Sequence, residues 1–327
     1  MQIHADLRLG EHWQGFVQLE DARVYGKRNV TPVDRNPADL RQAFVAYARA
    51  FDAGTFKARL GRQELAFDLQ RFVSLRDGPN VRQAYDAAWA DWETGAWRFI
   101  GLLSQPVQYS YAHPFDDSSN RHLRLNMLRV ERQVFGGQEL SAYYALYARD
   151  RAAYLDAAGR ERRRVFDVRY AGSARGFDWD LEAMGQRGTL GAKAIRAWAV
   201  GTRGGYTFAS LPWRPRWGLQ LDAASGDRHP GDGKLGGFNP LFPNGYYVTL
   251  AGFTGYSNFV HVKPSLTLKP LPALALNGAL GLQWRQTTAD AVYTQPNVPV
   301  PGTAGKGGRW TGAYAQLRAD YAFDTYW

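Results

Sequence analysis

The chain has 327 residues, of which 45% are hydrophobic and 14% aromatic, with no cysteine and a formal net charge of +10. The absence of cysteine excludes disulfides and thiolate metal sites, and no run approaches the roughly 18 apolar residues of a transmembrane helix. A mean hydropathy of −0.43 beside so many aromatic residues is unusual for a soluble enzyme. It suits a membrane β-barrel, whose strands alternate lipid-facing apolar and lumen-facing polar residues. The basic surplus admits nucleic acid, anionic lipid, or an acidic small molecule or polymer as partner.

In chain order, about fifteen segments place an apolar residue at every second position. The first is 3–9, with Ile3, Ala5, Leu7 and Leu9 on one face and His4, Asp6 and Arg8 on the other. It begins directly after Met1, with no basic-then-apolar leader; either the protein is cytosolic or the chain is truncated at its amino terminus. The others are 14–24, 40–50, 55–64, 82–92, 96–105, 121–131, 138–149, 161–171, 176–187, 194–208, 215–224, 258–268, 274–285 and 309–323. No segment reads as a helix.

The connections alternate in length. Short ones at 10–13, 51–54, 93–95, 136–137, 172–175, 209–214 and 269–273 are interleaved with long ones at 25–39, 65–81, 106–120, 150–160, 225–257 and 286–308. Only the link at 188–193 is short where a long one is due. Short periplasmic turns alternating with longer extracellular loops mark an outer-membrane barrel. The faces follow from the two-residue period: Phe177, Trp179, Leu181 and Ala183 point outward, and Asp178, Asp180, Glu182 and Gln186 inward. Trp97, Trp179, Trp198, Trp217, Tyr321 and Phe323 sit near segment ends, as interfacial girdles would. The expected fold is therefore an all-β, antiparallel transmembrane β-barrel in a single domain.

Longer motifs carry a family resemblance. GRQELAF at 61–67 with the GPNVRQAYD run through Asp86, IRAWAVGTRGGYTF at 195–208, LDAASGDRHPGDGKLGGFNPLFPNGYY from Leu221, PSLTLKP at 264–270 and WRQTTAD at 284–290 follow one another in order. In these the chain resembles the alginate export family of bacterial outer-membrane porins. The resemblance implies a monomeric barrel of eighteen antiparallel strands that passes an anionic polyuronate through an electropositive lumen. It further implies a signal peptide and one strand before 3–9 and two strands after 309–323. The chain is then expected to hold about fifteen of eighteen strands, in a barrel unclosed or distorted if produced alone.

On this reading the inward set comprises Lys57, Arg59, Arg98, Arg124, Arg163, Arg169, Lys263, Arg285 and Arg318, interspersed with Asp86, Asp167, Asp180, Glu182, Asp222 and Asp320. Arginine offers a planar fork that matches the carboxylate carried by each polyuronate sugar, while interspersed acids allow release. Such charges also serve as ordinary wall, satisfying one another. The family counterpart of 61–86 lies over and into the pore, which marks Arg62, Glu64, Arg71, Arg76, Asp77 and Arg82 as candidates for a constriction.

Other chemistry has weaker support. The row Asp178, Asp180 and Glu182 has a spacing a glycosidase pair could share, but nothing in the sequence encloses it in a cleft. DAASGDRHPGDG at 222–233 lacks the order of a calcium loop, and six histidines are scattered without ligand spacing. The expectation is a non-enzymatic channel of the bacterial outer membrane, without cofactor or metal. It passes an anionic polysaccharide such as alginate, contacts outer-membrane lipid, works as a monomer with possible periplasmic secretion partners, and binds no nucleic acid. A general anion-preferring porin, a β-sheet protein that binds acidic glycans and a polyuronate lyase are the alternatives.

Overall fold

The computed structural model describes residues 1–323. Fifteen long strands follow one another: β1 (Gln2–Leu9), β2 (Trp13–Ala22), β3 (Asn36–Phe51), β4 (Gly54–Gln63), β5 (Tyr85–Thr94), β6 (Trp97–Gln108), β7 (Leu123–Val134), β8 (Gln138–Ala153), β9 (Ala158–Ala174), β10 (Phe177–Leu190), β11 (Lys193–Thr207), β12 (Arg216–Ala224), β13 (Phe259–Leu271), β14 (Leu274–Trp284) and β15 (Trp310–Tyr321). With the two-residue strands Ser118–Ser119 and Lys234–Leu235 they form a 17-stranded sheet. Each long strand pairs antiparallel with the next, so the wall is a meander in chain order. Among the described residues β1 pairs with β2 alone and β15 with β14 alone.

Alternation decides what each face does. Along β10, Asp180, Glu182 and Gln186 are buried while Phe177, Leu181 and Ala183 are exposed. Cross-strand rows continue the pattern: Phe166 opposes Tyr144 and Gly185, and Gly185 opposes Trp198. A charged side chain at the middle of this outer band would cost about 2–4 kcal/mol against lipid. Apolar Leu128, Phe166, Val168 and Val200 therefore belong to the band, all exposed to the surroundings of the wall.

The expected short connections are all short, but the link at 150–160 is not a long loop. β8 and β9 run 16 and 17 residues and leave only 154–157 between them, closed by the Tyr154 N–H donating to the Ala157 carbonyl at 2.8 Å. The reason is continued alternation: buried Glu161 and Arg163 prolong the inner face, and exposed Arg160 and Arg162 the outer one. From β8 to β11 the wall therefore stands taller on the long-loop side, with two tight turns at its rim.

The core lies inside the barrel and is supplied by two loops. The segments 64–84 and 225–258 fold into the lumen and pair with each other: the Phe242 N–H donates to the Phe72 carbonyl at 2.8 Å, and the Asn244 N–H to the Gln70 carbonyl at 3.0 Å. Phe72, Val73, Phe238, Phe242 and Tyr256 then pack on inward wall residues such as Tyr85, Leu102, Leu125, Val165 and Met184. Burying each large apolar side chain stabilises by roughly 1.5–3 kcal/mol, which offsets the cost of ordering two long segments.

Candidate functional site

Arg71 is the anchor of the first loop. Its side chain is fully buried, hydrogen-bonded to Glu182 and 3.5 Å from Asp180, with the guanidinium 4.7 Å from the Tyr247 ring centre. The wall makes room at Gly201, where a Cβ would lie 2.3 Å from the Arg71 Nε. Gly201 sits in register between Glu182 and Asp222. Asp222 accepts hydrogen bonds from the hydroxyls of Tyr247 at 2.7 Å and Tyr256 at 3.0 Å, so one node of wall carboxylates holds both inner loops.

Below this node, towards the short turns, the inward charges form a continuous belt. Arg98 reaches Asp91 at 2.7 Å and Glu131 at 3.3 Å. Arg129 joins Glu131 to Asp68 at 2.6 and 2.7 Å, and Arg169 joins Asp68, Glu139 and Asp180 at 2.9, 2.7 and 2.6 Å. Asp68 belongs to the inner loop, so the belt also tethers it. Asp178 is taken by Arg216. The carboxylate row Asp178, Asp180 and Glu182 is thus committed, member by member, to arginines.

Two cavities along the lumen meet at one side chain. An upper cavity of ≈ 320 Å³ is lined by Arg76, Asp77, Gln83, Tyr109 and Tyr246. A lower one of ≈ 460 Å³ is lined by Tyr246, Arg203, Lys263, Gln316, Arg318 and Asp320. Tyr246 stands against Gly78, where a Cβ would come within 3.2 Å of the ring and where φ is +147°. The loop thus needs glycine there for backbone and for space. In the lower cavity Arg318 pairs with Asp320 at 2.7 Å. Arg203 donates to the Gln220 side chain at 3.2 Å and Lys263 to the Val248 carbonyl at 2.9 Å. Neither meets a carboxylate among the described residues.

The remaining candidates of the sequence are placed as follows. Arg62 pairs with Asp86 at 2.9 Å, but both stand in the phase of the exposed Leu60, beside Asp117 and Ser119, and not in the inward phase of Gln63 and Tyr85 where the sequence placed them. Glu64 pairs with Arg41 at 2.8 Å. Arg82 pairs with Asp77 at 2.9 Å at the half-exposed mouth, while the Arg76 guanidinium lies 5.8 Å from the Phe242 ring centre. Arg59 faces the lumen between Phe44 and Trp89, at 4.5 and 5.8 Å from their ring centres. Arg163 is buried against Glu161 and donates to Gln186 at 2.8 Å. Arg285 is caged by the carbonyls of Asp290, Thr303, Lys306 and Gly308.

Arg124 requires a correction. It lies on the outer face, because the inward positions of β7 are Leu125, Met127, Arg129 and Glu131. The inward Arg129, with Asp68, Arg203 and Arg216, was not among the sequence candidates. Arg129 stood in the same alternation that wrongly gave Arg124, one position out of phase. Asp39, Asp116 and Asp117 bring three carboxylate oxygens within 4.8 Å of one another, but hydrogen bonds from Asn36, Ser110 and His113 already reach that group. Burial, with Asp39 close by, pushes the Asp117 carboxyl up to about 6.

Several porins of known structure are similar in fold. OmpT of Vibrio cholerae aligns with a TM-score of 0.52 at 11% identity, covering 98% of this chain and 88% of that one. A BenF-like porin from Pseudomonas fluorescens Pf-5 gives 0.54 at 11% identity over 95% and 81%. An anion-selective porin from Comamonas acidovorans gives 0.50 at 11% identity over 98% and 88%. No curated protein sequence matches. The family model for alginate export matches residues 1–327. With its antiparallel meander, lipid-type outer band and inward loops, the chain belongs to the alginate export family of bacterial outer-membrane channels.

Proposed function

We propose that this outer-membrane channel passes an anionic polysaccharide or oligosaccharide of the alginate type, whose carboxylates meet lumen cations that the wall leaves unneutralised. The observation that carries this reading is the pair of cavities joined at Tyr246, the lower holding Arg203 and Lys263 without carboxylate partners. A guanidinium fork binds a carboxylate bidentately, and Lys263 adds a point charge fixed on the Val248 carbonyl. The Tyr246 ring between the cavities offers a flat face to a sugar ring. The paired charges around them set a mixed field in which anions enter and still leave.

In this reading the mouth pair Arg82 and Asp77, with Arg76 behind it, forms the first contact, and Tyr246 against Gly78 is the constriction. The row Asp178, Asp180 and Glu182 offers no free general acid, since each carboxylate is held by an arginine. That favours a conduit over a lyase.

The test is single-channel recording in planar bilayers. Expected are anion-preferring currents, blocked by polyuronate oligomers, with block weakening as added salt shortens the screening length below about 8 Å. Replacing Arg203 and Lys263 by Ala together should weaken both preference and block; block indifferent to that change would sink the polyuronate reading. A channel for small anions is the second reading, favoured by the upper cavity's volume of only ≈ 320 Å³. Currents that stay open in the presence of polyuronate would select it.

A further inference from the structure

The outer wall carries a group of arginines that the lumen does not use. In one cross-strand row Arg164 of β9 opposes Arg187 of β10, which opposes Arg196 of β11. One row nearer the rim, Arg162 of β9 and Arg124 of β7 both oppose Ala148 of β8. All five are exposed, and none meets a carboxylate within ion-pair distance among the described residues. The one acid in the cleft between β7 and β10, Asp150, is engaged by His122 at 3.0 Å and Arg160 at 3.4 Å. That cleft has a volume of ≈ 870 Å³ and is lined by Arg121, Arg124, Arg162 and Arg164.

Like charges directly opposite across strands repel, and charge on the outer face of a barrel is tolerated only near the interface. The arginines satisfy the second condition. The next row towards the short turns is apolar, with Tyr144, Phe166 and Trp198, so the group stands at the upper edge of the lipid band, on the long-loop side. The first condition calls for an anion from outside the chain. The tall wall and tight turns at 154–157 and 191–192 leave no loop of the described residues folded over the patch, which opens it to an anion at the membrane surface.

We propose that this face docks a phosphorylated glycolipid of the outer leaflet, with phosphate groups held by Arg162, Arg164, Arg187 and Arg196 and acyl chains laid on Phe166 and Leu128. Phosphate monoesters carry nearly two charges and several acceptor oxygens, which arginine forks match.

Native mass spectrometry of the full chain in detergent, titrated with diphosphorylated lipid A, its dephosphorylated form or inorganic phosphate, tests this. Diphosphorylated lipid A should bind about tenfold or more tightly than the dephosphorylated form, and inorganic phosphate should not displace it at equal concentration. The variant R162Q/R164Q/R187Q/R196Q should lose that difference while its currents in planar bilayers stay unchanged, because these side chains face away from the lumen. If the fourfold variant fails to fold, R164Q alone should lose part of the difference. Equal retention of both lipids, displacement by inorganic phosphate, or substitutions without effect would each overturn the proposal. The currents separate its failure from a failure of the channel reading.

Discussion

The wall and the inner loops are built on opposite principles. Strands β4 to β12 are laid down by local alternation, and their inward charges neutralise one another over short distances: Arg98 with Asp91, Arg129 with Glu131, Arg169 with Asp180. The loops 64–84 and 225–258 have no period, and they fill the lumen with aromatic and apolar side chains anchored at a few polar points. A wall of paired charges with an apolar plug leaves little net charge free to act on a passing solute. What remains lies where the two principles meet, at Arg203 and Lys263 beside Tyr246. On the proposed function, selectivity belongs to the seam between loop and wall, and not to the count of arginines in the barrel.

The largest expected effect comes from cutting that seam at its anchor. Arg71→Ala leaves Glu182 and Asp180 buried beside a void. Removal of one partner of such a buried pair costs about 3–5 kcal/mol. Thermal unfolding in detergent should show the loss, and protease accessibility should rise within 64–84. A variant as stable and as protected as the parent would mean that the plug is held by apolar packing alone.

Next comes the constriction. Tyr246→Ala should merge the two cavities and raise single-channel conductance severalfold without reversing ion preference. Gly78→Ala, which pushes a Cβ towards the same ring at a strained φ, should lower conductance or destabilise the loop. Unchanged conductance in both variants would place the narrowest point elsewhere. Smaller again is the double change of Arg203 and Lys263 to Ala, read as a shift in reversal potential under a salt gradient.

The smallest effect is a pH dependence at the mouth. Asp117 titrates near 6 because burial and Asp39 disfavour its charge. Its folded value stands above the unfolded one of 3.8. The mouth is therefore most stable below the unfolded value and loses stability as pH rises from there through about 6. Amide exchange across 110–117, corrected for intrinsic rates, should be slower at pH 5 than at pH 7, and Asp117→Asn should abolish the difference. Equal protection at both values would show that Asp117 stays ionised throughout.

Several features were legible because they depend on neighbours two residues away. The all-β fold, fifteen long strands, the short turns, and the faces of β10 and β12 all follow from an apolar residue at alternate positions. Arg124 shows how this reading fails. A stretch such as LRLNMLRVERQV carries apolar residues in both phases, and only its register against β6 and β8 decided that Leu125 and Met127 turn inward. The tall rim of β8 and β9 was hidden for a similar reason, since polar residues on both faces of 158–164 look like loop until a partner strand is present.

The composition and the two-residue period therefore determined the wall by themselves, because strand pairing acts between segments adjacent in the chain. The tertiary structure alone decided which charges remain unpaired. Arg71 meets Glu182 across 111 positions and Ser74 meets Phe242 across 168, and no local pattern records such meetings. They arise when two aperiodic loops find a common apolar interior and bring their few polar groups to the wall.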